Sequence, residues 1–186
     1  MNILFYIDES PNHSGAPELF RQILSLRKQT RLGKPYLPGG RSLSRSDTHS
    51  HSACLIADRK YVALDIESSN RPDLPGISQR LLPRIATDDR VKMDFLSAWT
   101  IKESILKAIG VGLRMSMSCI NIIQENEIYR GFKIVKSIFL HENFASILIK
   151  NNKYTCAISF FEKYLRNEVI NIMRIDNKTV EKLNVL

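Results

Sequence analysis

Cysteine is scarce in this chain. Cys54, Cys119 and Cys156 are far apart, odd in number, and form no C-x-x-C pair. That pattern excludes a disulfide framework and a cysteine-based zinc site, and suits a reducing compartment where the three act as small buried hydrophobes. Long apolar runs are also missing; nothing approaches the ~18 residues of a membrane span. Met1 to Ile7 is apolar, but Asp8 and Glu9 follow at once and no basic segment precedes it, so no signal peptide is expected. These absences predict a soluble, cytoplasmic protein with no membrane partner. Aromatic residues make up only 8%, and no nucleic-acid-binding motif or low-complexity segment is found, so nucleic acid is not an expected partner.

What is present is ordinary for a globular protein: 44% hydrophobic and 25% charged residues. A length of 186 residues suits one domain or two small lobes sharing a core. Such a chain buries about 70% of its unfolded surface and needs no disulfide or metal staple. Lys and Arg outnumber Asp and Glu, 27 to 19, a formal charge of +8. That field attracts polyanions. Nucleic acid, a phosphorylated nucleotide and an acidic partner protein all fit the charge alone.

The apolar pattern predicts a strand over Asn2 to Ile7 and a helix over Glu18 to Leu26, with Pro17 near its start. Arg27 to Ser46, rich in Arg, Lys, Gly and Pro, reads as a basic loop. Ser52 to Ala57 and Tyr61 to Ile66 read as a hairpin turning at Asp58-Arg59-Lys60. Asn70 to Gly76 is a loop. The clearest helix runs from Lys92 to Ile109, where Phe95, Ala98, Ile101, Ile105, Ala108 and Ile109 form an apolar stripe and Gly110 ends it. Further strands are predicted at Cys119 to Ile123, Phe132 to Leu140, Phe144 to Ile149 and Tyr154 to Phe160, with a turn at Asn151-Asn152. Residues from Asn177 onward read as a polar, weakly ordered tail. The fold class is α+β.

Several groups could carry chemistry. In a strand, positions i and i+2 share a face, so Asp65 and Glu67 project together. Two carboxylates on one face repel unless a cation or base neutralises them, and a hard divalent cation such as magnesium takes such ligands. Glu103 and Lys107 lie four apart on one helix face. His49 and His51 are two apart with no further histidine nearby, which does not make a zinc site. Ser50-His51 at a strand entrance could grip a phosphate through a hydroxyl and a ring N–H. Taken singly, each reads equally as a solvated strand edge, a surface ion pair or a polar loop.

The order of the pieces is more specific. Gly33-Lys34-Pro35, then Thr48-His49-Ser50-His51-Ser52, then Ala63-Leu64-Asp65-Ile66-Glu67, then Trp99-x-x-Lys102-Glu103-Ser104-x-x-Lys107 follow in sequence. This series resembles the 4'-phosphopantetheinyl transferase superfamily, and within it the surfactin-synthetase-activating type. Gly110 to Leu113 also fits. The resemblance covers about Gly33 to Phe160.

The resemblance implies a pseudo-twofold pair of strand/helix lobes with the first one shortened. One domain would span 1–176, with lobes 1–67 and 68–176, followed by a tail at 177–186. It implies transfer of the phosphopantetheine arm of coenzyme A to a serine of an acidic acyl or peptidyl carrier protein. Asp65, Glu67 and Glu103 would bind magnesium, with manganese as a substitute. Glu103 would accept the serine proton, and Lys107 would stabilise the leaving adenosine 3',5'-bisphosphate. Lys34, Ser50, His51 and Lys102 would contact phosphate. Trp99 reads as a packing anchor, and the protein as a monomer.

The chain departs from the family pattern in places. Only 33 residues precede Lys34, where members of this type carry a longer first half. Ala63 stands in place of the common Gly, and Thr48-His49 in place of Asn-x. Three rival readings follow: a degenerate member that binds coenzyme A or carrier without turnover, a basic nucleic-acid-binding protein, and a magnesium phosphohydrolase. The intact carboxylates and Lys107 oppose the first. The lack of a binding motif opposes the second, and the Ser-His and Trp-x-x-Lys-Glu blocks oppose the third.

Overall fold

A computed structural model of the chain describes residues 1–8, 18–72, 76, 93–128, 132–167, 169–175 and 180–185. Pro17, Lys92 and most of the loop reading beyond Pro72 lie outside them. The strands are β1 (Asn2–Asp8), β2 (Lys28–Gln29), β3 (Pro35–Leu37), β4 (Arg41–Asp47), β5 (Ser52–Ala57), β6 (Ala63–Ser68), β7 (Ile120–Ile128), β8 (Phe132–Phe139), β9 (Glu142–Lys150), β10 (Tyr154–Phe161), β11 (Ile170–Ile175) and β12 (Val180–Val185). The helices are α1 (Glu18–Ser25), α2 (Phe95–Ile109) and α3 (Lys163–Asn167). The α+β expectation holds. Among the described residues no helix is long and apolar enough to cross a membrane.

The strands form a seven-stranded sheet, ordered β12-β11-β1-β5-β4-β3-β2, and a five-stranded sheet, ordered β6-β10-β9-β8-β7. The two share one path. Each starts with a strand (β1 or β6), passes through a helix (α1 or α2), then runs an antiparallel meander whose last strand returns beside the first. This is the pseudo-twofold pair of lobes. The first two meander strands differ in length: β2 and β3 have two and three residues where β7 and β8 have nine and eight.

Strand alternation builds the layers. Ile3, Phe5 and Ile7 of β1 stand opposite Ala57, Leu55 and Ala53 of β5. They pack on Leu64 and Ile66 of β6 and on Cys156, Ile158 and Phe160 of β10, forming a core between the two sheets. On the outer face of the first sheet, Tyr6, Leu43 and Cys54 pack with Phe20 of α1. On that of the second, Ala63 and Ala157 pack with Ala98, Ile101 and Ile105 of α2. The order is helix, sheet, sheet, helix.

Four expectations change. Ser52–Ala57 and Ala63–Ser68 are strands but not a hairpin. Both edges of β5 are taken, by β1 and β4, so the chain crosses to the other sheet. Asp58 caps β1 instead, accepting from the Asn2 amide at 2.9 Å and from Asn2 Nδ2 at 2.8 Å. The boundary at residues 67 and 68 therefore falls inside β6; sheet membership changes between Ala57 and Ala63. The basic loop over 27–46 contains β2, β3 and most of β4, because Ser42-Leu43-Ser44-Arg45-Ser46 alternates with period two. Within the tail, Val180–Val185 pairs antiparallel with β11 and covers an edge that would otherwise be open.

Serine on β4 does a second job. As an outer strand of its sheet, β6 has a free edge beside β4. Ser42 Oγ accepts from Val62 N at 3.2 Å. Ser44 Oγ accepts from Leu64 N at 3.1 Å and donates to Leu64 O at 3.2 Å. A hydroxyl every second residue thus satisfies buried backbone groups that a further strand would otherwise pair.

Candidate active site

β6 and α2 bring the carboxylates together. Asp65 and Glu67 point to the face that α2 covers, two residues apart as the strand period requires. α2 starts at Asp94, whose carboxylate accepts from Ser97 N at 3.0 Å, and stops at Gly110 in the left-handed region, φ 91°. Between these caps, Glu103 and Lys107 sit one turn apart facing β6. Ligand oxygens of Asp65, Glu67 and Glu103 all lie within 4.8 Å of one another.

The charges are tightly balanced. Lys107 Nζ lies 2.6 Å from Asp65 Oδ1, 3.5 Å from Glu103 Oε1 and 2.8 Å from Ser46 Oγ. Ser46 Oγ in turn donates to Asp65 Oδ1 at 2.7 Å. Asp65 is buried, and its other oxygen, Oδ2, has no partner. Burial pushes the Asp65 carboxyl up to about 7, with Lys107 opposing and Glu103 reinforcing the rise. Burial works against the charge on Lys107, but Asp65 and Glu103 outweigh it and hold the ammonium above its usual range. A buried carboxylate oxygen with no donor, between two further carboxylates, suits a hard divalent cation. The donor set is all oxygen, which matches magnesium or manganese rather than zinc.

Glu67 is held from both sides. Its Oε1 accepts from Trp99 Nε1 at 2.9 Å and also from Arg71 Nη1. The Arg71 guanidinium stacks on the Trp99 ring, 4.4 Å from the ring centre. Trp99 does pack against Phe95, as an anchor would, and the hydrogen bond adds a second role.

Ser50 and His51 lie apart from the carboxylates, at the turn before β5. Ser50 Oγ and His51 Nδ1 are 2.7 Å apart. With Ser68, Asn70 and Lys153 they line a polar cavity of about 350 Å³. Ser68 follows Glu67 on β6, so this cavity begins where the carboxylate strand ends.

Lys34 packs on the end of α2. Its ammonium donates to Ala108 O, and burial lowers it to about 8. A Cβ at Gly110 would meet Lys34 Cδ at 3.0 Å, so this position needs glycine for contact as well as for its φ. Lys34, Arg45, Lys107 and Arg114 share a cavity of about 230 Å³.

Lys102 departs from expectation. It is fully buried, 0% exposed, and is engaged within the protein. It shares its helix face with Ala98, Ile105 and Leu106, all buried, because residues three and four apart lie together. With no exposed surface it is not available to a phosphate. Sequence reasoning also missed Ser46, Arg71 and the cationic partners Arg45 and Arg114. The alternation around Ser42, Ser44 and Ser46 was the usable signal for the first.

A family model of the 4'-phosphopantetheinyl transferase superfamily matches residues 61–159, more than half of the chain. The chain belongs to this superfamily. The matched stretch carries Asp65, Glu67, Glu103 and Lys107, and contains β6, α2, β7 to β9 and most of β10. Lys34, Ser50 and His51 lie before it. No curated protein matches the chain. Membership in the superfamily makes the protein a transferase by family.

Proposed function

We propose that the chain moves the 4'-phosphopantetheine arm of coenzyme A onto a serine hydroxyl of an apo carrier protein, acting as a holo-carrier-protein synthase of the surfactin-synthetase-activating type with a shortened first half. The carrying observation is the cluster of Asp65, Glu67 and Glu103 within 4.8 Å, with the unpartnered Asp65 Oδ2 and Lys107 beside it.

Asp65, Glu67 and Glu103 would hold magnesium, or manganese in its place. When bound, the cation supplies Lewis-acid polarisation of the pyrophosphate and a template for in-line attack. Glu103 accepts the proton of the attacking serine. The serine oxygen bonds to the phosphorus that carries pantetheine. The bond from that phosphorus to the bridging oxygen breaks, and its electron pair leaves on adenosine 3',5'-bisphosphate. Lys107 stabilises that leaving group with its ammonium, which is kept charged by the two neighbouring carboxylates. Lys34 offers a second cation in the shared cavity, and Ser50 and His51 grip nucleotide phosphate in theirs.

The formal charge of +8 steers both substrates, since coenzyme A is anionic and carriers of this kind are acidic. The protein works as a cytoplasmic monomer. The test is the release of adenosine 3',5'-bisphosphate, followed by chromatography. Release that requires coenzyme A, magnesium and an apo carrier together supports the reading. Release without a carrier points to the phosphohydrolase alternative, and coenzyme A binding with no release points to a degenerate binder.

A further inference from the structure

Glu67 differs from the other two site carboxylates in how it is held. Asp65 and Glu103 share the Lys107 ammonium. Glu67 instead has its own pair of donors, Trp99 and Arg71, and both fall on one oxygen, Oε1. The donors also touch each other through the stacked guanidinium. They come from different elements. Trp99 is on α2, with Glu103 one turn further along; Arg71 is in the loop after β6. The side chains of Glu67 and Arg71 are 13% and 28% exposed, so the assembly stands at the rim of the site.

We propose that Arg71 and Trp99 are positioning residues for the cation site: together they lock the Glu67 carboxylate by one oxygen, so that the group is preset for a divalent cation. Arginine suits this task because its planar fork can stack and donate at once, which a lysine ammonium cannot. Groups that hydrogen-bond to metal-ligating carboxylates typically change metal affinity 10–100-fold when lost. An opposing effect has to be separated, since a guanidinium near a divalent cation also repels it. Variants that keep the charge remove that ambiguity. Arg71→Lys retains the positive charge and loses the stacked fork. Trp99→Phe retains the ring face and loses the N–H donor.

The inference rests on the proposed cation-binding function and is tested by binding of Mn²⁺ alone, followed by electron paramagnetic resonance of the free ion. Arg71→Lys and Trp99→Phe are each expected to weaken Mn²⁺ binding about ten-fold. Trp99 is the sole tryptophan, so its emission in the parent is expected to change with the same midpoint as Mn²⁺ binding. In Arg71→Lys the change should move to the weaker midpoint. A merely structural role would lower thermal stability without moving that midpoint. Parent-like Mn²⁺ affinity in both variants, with the parent binding normally, overturns this inference alone. A parent that binds no Mn²⁺ overturns the cation-site reading and this inference with it.

Discussion

Replacing Lys107 with Met tests whether the site's charges are coupled as described. Lys107 pairs with the buried Asp65 at 2.6 Å, and Asp65 sits at about 7 in the parent. Folding raises this carboxyl above its ordinary value of 3.8. Its contribution to stability is therefore complete below the unfolded pKa and falls as pH rises, levelling off once pH passes the folded value near 7. Without Lys107 the folded value moves higher still. At an effective dielectric of about 20, two unit charges about 3 Å apart interact by about 5 kcal/mol, enough to push it beyond pH 9. Above pH 7 the variant then keeps a proton that the parent has lost. Each pH unit costs it about 1.4 kcal/mol more, so a gap of about 2.7 kcal/mol opens over two units. Below pH 7 both proteins hold the proton and the difference is flat. Denaturant midpoints for both proteins at several pH values in chelator measure this directly. A difference that stays constant from about pH 6 to pH 9 would refute the coupling.

Other expectations follow from single contacts. Gly110→Ala forces a side chain into φ 91° and against Lys34 at 3.0 Å, and is expected to cost about 1 kcal/mol or more and to weaken coenzyme A binding measured by calorimetry. Ser44→Ala leaves the Leu64 amide, which it receives at 3.1 Å, without its acceptor, a loss of about 1–3 kcal/mol readable by chemical denaturation. Lys34, lowered by burial to about 8, is charged below that value and neutral above it. Coenzyme A affinity should fall as pH rises through about 8, and Lys34→Arg, which stays charged, should abolish the fall.

Much of the second lobe was legible because its signals are local. Asp65 and Glu67 share a face by the strand period, Glu103 and Lys107 by the helix period, and Gly110 marks the end of α2. What could not be read depends on how distant strands meet. Ser46 reaches Asp65 only because β4 lies along the open edge of β6, a fact that no short window contains. Asp58-Arg59-Lys60 has good turn chemistry, yet β5 was already paired on both sides. The phosphate role of Lys102 is implied by the family resemblance, but its helix face is closed by neighbours on both turns. Arginine, lysine, glycine and proline in 27–46 suggest a loop, and that composition outweighs the period-two pattern that marks β4.

The most direct measurement is the intact mass of an apo carrier protein after incubation with this chain, coenzyme A and magnesium, with Glu103→Ala in parallel. The account predicts a gain of one phosphopantetheine arm on a carrier serine with the parent, and none with the variant or with chelator. An unmodified carrier across fatty-acid, polyketide and nonribosomal-peptide types, while the parent still binds coenzyme A, would contradict it.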